Sequence, residues 1–170
     1  KTGVPLNTSC DSAVAKTNVH YPTDINLLLD AMRKIIKACS KAAKRFGLPD
    51  WRQHDYNFRC LKNLYLKVIR LKHSTSKDEE KKAAQEEKII QAVQALLERA
   101  EFYLARAEQT LDALITLSGS EDLRNTIDYF CFHARYQINL TRRRVIDGET
   151  IPHSEKIFSL FQPHTEWISK

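Results

Sequence analysis

The chain has few of the residues that turn a backbone sharply. Its 170 residues include only 4 Gly and 5 Pro, too few for the many tight reversals of a sandwich or barrel, so a many-turned β fold is excluded. The four cysteines, Cys10, Cys39, Cys60 and Cys131, lie far apart with no C-x-x-C pair among them. That scatter argues against a zinc site or a disulfide framework and for buried free thiols in a reducing cytoplasm. No apolar run approaches the roughly 20 residues that span a bilayer, and the opening Lys1-Thr2-Gly3-Val4-Pro5 lacks the apolar centre of a signal peptide. The sequence therefore predicts a soluble cytoplasmic protein with no membrane partner, unless an export signal has been cut away. No Glu-x-x-His pair occurs in the helical segments, which removes the usual carboxylate-bridged di-iron bundle.

What is present is ordinary in amount and uneven in placement. With 42% hydrophobic and 28% charged residues, the chain has the composition of one globular domain with a real core. Its formal net charge is +6. Between Arg33 and Lys72, however, twelve lysines and arginines face only Asp50 and Asp55, a local net of +10, so the remainder is net acidic. Such asymmetry is the pattern of a polyanion-binding face, although lysines also collect on solvated helix faces for solubility alone.

Apolar spacing predicts four helices. Thr23 caps the first with Asp24 in its opening turn, and Ile25, Leu28, Met32, Ile36, Cys39 and Phe46 repeat at three and four until Gly47 and Pro49 stop it. The second is expected from about Asp50 to His73, with Trp51, Phe58, Leu61, Tyr65, Val68 and Leu71 on one stripe. Ser76 and Glu79 form a capping box for the third, whose first turns, Lys77 to Lys88, carry almost nothing apolar and should project into water. Gly119 ends it. Ser120 caps the fourth, which runs on Leu123, Ile127, Phe130, Ala134 and Ile138 towards Asp147-Gly148.

Four amphipathic helices with short loops predict an up-down-up-down antiparallel bundle whose chain enters and leaves at one end. Residues before Pro22 and after Ile151 should then emerge side by side. A short strand around Thr8 to Ala15 could pair with one around Lys156 to Phe161.

The two ends carry a further signal. Asp11-Ser12 followed by Thr17-Asn18-Val19-His20-Tyr21-Pro22-Thr23-Asp24 resembles the first catalytic block of bacterial insertion-sequence transposases of the DDE type. Glu149-Thr150-Ile151-Pro152-His153-Ser154-Glu155-Lys156 and Phe158-Ser159-Leu160-Phe161-Gln162-Pro163-His164-Thr165-Glu166-Trp167 resemble later blocks of the same family. The chain departs from the family at Ala13, where Thr is usual, and at Lys16, where an acid is expected. The resemblance implies an RNase H-like catalytic core in which Asp11 is the first of three metal-binding carboxylates, the second Asp and the Glu lying beyond Lys170. It implies Mg2+ as cofactor of the complete enzyme, not held stably by this piece alone, DNA as partner, and room for a homodimer. The fold expected is thus mainly α: a four-helix antiparallel bundle with short flanking strand segments of an incomplete RNase H-like core. Residues 1–22 would give the first strand and turn, 23–147 a helical insertion, and 148–170 the return to the core.

Several side chains have competing readings. Asp11 is the only residue assigned to catalysis and metal binding, because hard divalent cations take oxygen ligands. Lys34, Lys37, Lys41, Lys44 and Lys62 are assigned to DNA phosphates. So are Arg142, Arg143 and Arg144, which are also favourable at a helix C-terminus whatever the function. Trp51, Phe58 and Tyr65 fit the core, while Tyr56 could stack on a base. His54-Asp55 resembles a phosphohydrolase metal dipeptide, but only His133 could help it, and it is read as chance. The first hypothesis is a fragment of a DNA transposase, inactive alone. The rivals are a non-catalytic helical module that binds nucleic acid, and a helical protein-interaction module.

Overall fold

A computed structural model describes residues 23–73, 78–157 and 159–161. They form four α-helices: α1 (Asp24–Phe46), α2 (His54–His73), α3 (Glu79–Ile115) and α4 (Glu121–Val145). The helical bundle expected from apolar spacing is present, and no strand occurs among the described residues. The expected strand at Thr8 to Ala15 lies outside them. Of the return strand expected at Lys156 to Phe161, the described residues 156, 157 and 159–161 are irregular.

α1 begins and ends as its sequence dictates. Thr23 is extended, and its Oγ1 accepts the Asn26 amide at 3.4 Å. Gly47 takes the left-handed conformation at φ +67°, which a residue without Cβ adopts at little cost, and the Leu48 amide closes the end on the Ala43 carbonyl at 3.1 Å. Met32, Ile35, Ile36 and Cys39 are fully buried on the face between these caps.

α2 starts four residues later than its stripe predicts. Asp50 and Trp51 both have positive φ, 76° and 56°, so the chain makes a left-handed turn instead of a first helical turn. The turn drives the Trp51 ring into the core, where it is 1% exposed and donates its indole N–H to Thr110 Oγ1 at 2.9 Å. Left-handed backbone costs about 1–2 kcal/mol per residue, and burying so large a ring with its N–H satisfied returns more than that. Arg106 pairs with Asp50 at 2.9 Å and lies 5.1 Å over the Trp51 ring, fixing the turn from the other side.

α3 is capped by Asp78, whose carboxylate accepts the Glu80 amide at 3.1 Å; the expected cap at Ser76 lies outside the described residues. Its first turns are exposed, as their polarity predicts, and Gln85 ties them to α2 by donating to the Leu71 carbonyl at 2.7 Å. Ser120 precedes α4 but does not cap it. Its hydroxyl donates backwards to the Leu114 carbonyl at 2.7 Å, because its own backbone is already helical and points the side chain at the end of α3.

The largest interface is between α1 and α4; α1 also meets α2 and, diagonally, α3, while α2 and α4 share no contact. The chain ends of the bundle lie together: Arg144 Nη2 is 2.7 Å from Asp24 Oδ2. The segment before residue 23, expected to emerge beside the chain after Ile151, lies outside the described residues, and the return chain beyond Gly148 can be followed alone. The chain turns back along α4. Tyr136 donates to the Glu155 carbonyl at 2.7 Å and Tyr129 to the Leu160 carbonyl at 2.9 Å, so five residues of return chain pass seven residues of helix, about 10 Å. Leu160 is 1% exposed, and Phe161 packs 5.9 Å from Phe130 and beneath the Lys34 ammonium, 5.0 Å from its ring centre.

Candidate nucleic-acid interface

The outer face of α1 is a stripe of lysines. Lys34, Lys37, Lys41 and Lys44 recur at steps of three, four and three, so successive turns present them on one side, and all four are exposed. Lys37, Lys41 and Lys44 have no carboxylate within ion-pair distance among the described residues, and Lys34 meets only the face of Phe161. Nearby, Arg33 is held by Asp30 at 3.0 Å, which removes it from the unpaired set.

Lys62, the fifth lysine assigned to phosphates, is on α2. Tyr65, three residues on, donates to Asn26 Oδ1 of α1 at 2.7 Å, and helical spacing puts Lys62 on that same α1-facing flank, where it too is exposed and unpaired among the described residues. Fixed ammonium groups with no internal counter-ion raise the local potential and attract mobile anions, an effect that reaches about 8–10 Å at physiological salt.

The arginines at the end of α4 are placed differently. Arg142 pairs with Glu101 at 2.7 Å, Arg144 with Asp24 at 2.7 Å, and Arg143 with Glu149 and with Glu155, the latter at 2.6 Å. The hydrogen bonds that Arg143 donates to Glu155 and then to Glu149 push its pKa further up. All three charges assigned to DNA are therefore answered within the fold, clamping α4 to α3, to the start of α1 and to the return chain. Sequence spacing could not show this, because the partners lie between 6 and 120 residues away.

The other sites assigned from sequence divide in the same way. Asp11, with His20 and the block from His164 to Glu166, lies outside the described residues. Among the described residues no group of three His, Cys, Asp or Glu gathers as a metal site. His54 and His133 sit on α2 and α4, which do not touch, so no phosphohydrolase pair forms. Cys39 and Cys131 are buried free thiols with pKa values pushed up to about 12, chiefly by burial. Trp51 is in the core and Tyr65 partly so, as their spacing predicts; Tyr56 is 60% exposed.

One group escaped the sequence reading. Arg99, Phe102 and Arg106 stand at steps of three and four on α3, and both guanidinium carbons lie 5.8 Å from the Phe102 ring centre. The signal was an aromatic flanked by cations at helical spacing. No helix among the described residues is long and apolar enough to cross a membrane. Comparison of the chain with protein-family models, with curated proteins and with solved structures finds no match.

Proposed function

We propose that this chain is the helical insertion and the two flanks of a DDE-type DNA transposase, working in the cytoplasm on its element's DNA, with an RNase H-like core completed by sequence outside it. The observation that carries the proposal is the Asp24–Arg144 contact at 2.7 Å. An insertion can interrupt a catalytic sheet only if its first and last residues lie together, and the blocks that resemble the transposase family flank this junction on both sides. In this reading Asp11 is the first carboxylate and would hold Mg2+ together with two further acids; the metal, when bound, would supply activation of the attacking oxygen and stabilisation of the leaving one. The bundle's part is electrostatic. Lys34, Lys37, Lys41, Lys44 and Lys62 hold the DNA backbone while the core cuts, contacts that position without reading sequence.

The test is Asp11→Ala in the complete enzyme. Strand cleavage at the element ends in Mg2+ should disappear while end binding stays largely intact, because a deleted carboxylate leaves a remote basic face untouched. Normal cleavage by that variant would remove Asp11 from the reaction.

A second reading, a non-catalytic helical module that binds nucleic acid, is favoured by the lysine stripe itself, which owes nothing to family resemblance. It predicts DNA binding without metal-dependent cleavage by the complete protein. A helical protein-interaction module, with its charges serving solubility, predicts neither.

A further inference from the structure

Where α3 meets α4, the outer face of the bundle is charged in opposite senses on its two sides. Glu101, Glu108 and Asp112 follow one another along α3, and Arg124, Arg135 and Arg142 outweigh Asp128 along α4, all at steps of four and seven that keep each set on one side of its helix. Between the two edges runs a cleft of about 350 Å³ whose apolar lining is Leu104, Ala105 and Ile138.

Two ion pairs cross the cleft and fix the antiparallel register. Arg142 meets Glu101 at 2.7 Å and Arg135 donates from Nε to Glu108 at 3.1 Å, so each pair stands at one level of the bundle. All four side chains are still 42% to 51% exposed, and a carboxylate and a guanidinium each keep hydrogen-bonding capacity after one such contact. They can take a second partner. Beyond Glu108 and Arg135 the same face carries two large apolar side chains: Ile115 is 63% exposed, and Phe132 is 62% exposed with its ring edge-on to His133 at 5.4 Å. By the register of the ion pairs they are one helical turn apart in height.

The symmetry of this pattern decides what can cover it. A two-fold axis along the cleft carries α3 of a second copy over α4 of the first without a change of level. Glu101 of each copy then faces Arg142 of the other, Glu108 faces Arg135, and Ile115 comes within a helical turn of Phe132. An axis across the cleft would instead set α3 on α3, acid against acid, which repels.

We propose that the α3–α4 face docks a second copy of this chain about a two-fold axis along the cleft. The proposal rests on the opposed charges and the exposed apolar pair, not on any reading of the chain as DNA-binding. From Glu101 to Ile115 the face is about 21 Å long, and it is two helices wide, about 20 Å. So small an area suits a weak, reversible dimer.

Sedimentation velocity of the 170-residue chain at rising concentration should show a monomer–dimer equilibrium. Glu101→Arg with Glu108→Arg makes both edges basic, and Arg135→Glu with Arg142→Glu makes both acidic, so each double variant alone should be monomeric. Mixed in equal amounts, the two should pair with each other, since every basic edge then meets an acidic one. Phe132→Ala alters a side chain that lies mostly in water and should weaken the wild-type dimer about tenfold with an unchanged circular dichroism spectrum. A wild type that stays monomeric at every concentration would overturn the proposal, and so would a dimer as strong in Phe132→Ala as in the wild type. A dimer that the charge reversals leave intact would remove it from this face. Folded double variants that fail to pair when mixed would overturn the two-fold register. Where a double variant does not fold, Phe132→Ala and Ile115→Ala decide the question.

Discussion

Arg144 reaches Asp24 across the full length of the folded sequence, and the two charged groups lie 2.7 Å apart with the Asp24 side chain only 11% exposed. The angle falls short of a hydrogen bond, since Asp24 Oδ2 has no hydrogen-bonding partner, so the attraction is Coulombic and strengthened by burial. The pair also sits where helix ends favour it, an acid in the first turn of α1 and a cation in the last turn of α4. Asp24→Asn should therefore lower the unfolding free energy by about 1–2 kcal/mol, read from the urea midpoint with unchanged slope. An equal midpoint in both proteins would show that the junction is held by apolar packing alone.

The turn at Asp50 and Trp51 carries a separate expectation. Trp51→Phe keeps most of the buried area but deletes the bond to Thr110, and should cost about 1–2 kcal/mol; Trp51→Ala should cost about 3–5 kcal/mol through the cavity it leaves. Thermal melts of the two variants measure the difference. A Trp51→Phe variant as stable as the wild type would mean that the indole N–H contributes nothing, and equal losses in the two variants would contradict the cavity cost.

That turn marks the limit of what the sequence shows. Helices α1, α3 and α4 were legible because their apolar stripes are long; only at α1 do the caps, Thr23 and Gly47, also fall where the sequence puts them. Trp51 fits the α2 stripe by spacing and was placed in the helix for that reason. Its real partner, Thr110, is 59 residues away, and no local pattern reports such a contact. The basic face was legible in the same sense: charge composition located the lysines of α1, and helical spacing put them on one side. The ion pairs of the α4 arginines were not legible, because their partners, Glu101, Asp24 and Glu155, belong to other elements. The doubling back of the chain after Gly148 was equally hidden, since it depends on the Tyr129 and Tyr136 hydroxyls finding distant carbonyls.

The thiols give a pH dependence with a definite sign. Burial lifts Cys39 and Cys131 to about 12 from 9.0, so between these values the unfolded chain releases protons that the folded chain keeps. Stability due to these groups is whole below about pH 9 and is lost as pH rises towards 12. Urea midpoints of the wild type should fall over that range, and those of a Cys39→Ala, Cys131→Ala variant should fall less. In a Cys10→Ser background a thiol reagent should modify the half-buried Cys60 first. Rapid reaction at all three described thiols would contradict their placement.

The most direct measurement is a salt titration of duplex DNA binding. If Lys34, Lys37, Lys41, Lys44 and Lys62 contact phosphates, affinity should vary little with sequence and fall steeply with salt, each contact adding about 0.9 to the slope of log K against log salt. Reversing Lys37, Lys41 and Lys44 to Glu should weaken binding to every sequence and flatten that slope, whereas Arg142→Ala, whose charge is already paired with Glu101, should leave the slope unchanged. Duplex affinity that is absent at physiological salt, or a slope that the three reversals do not alter, would contradict the assignment of this face to DNA.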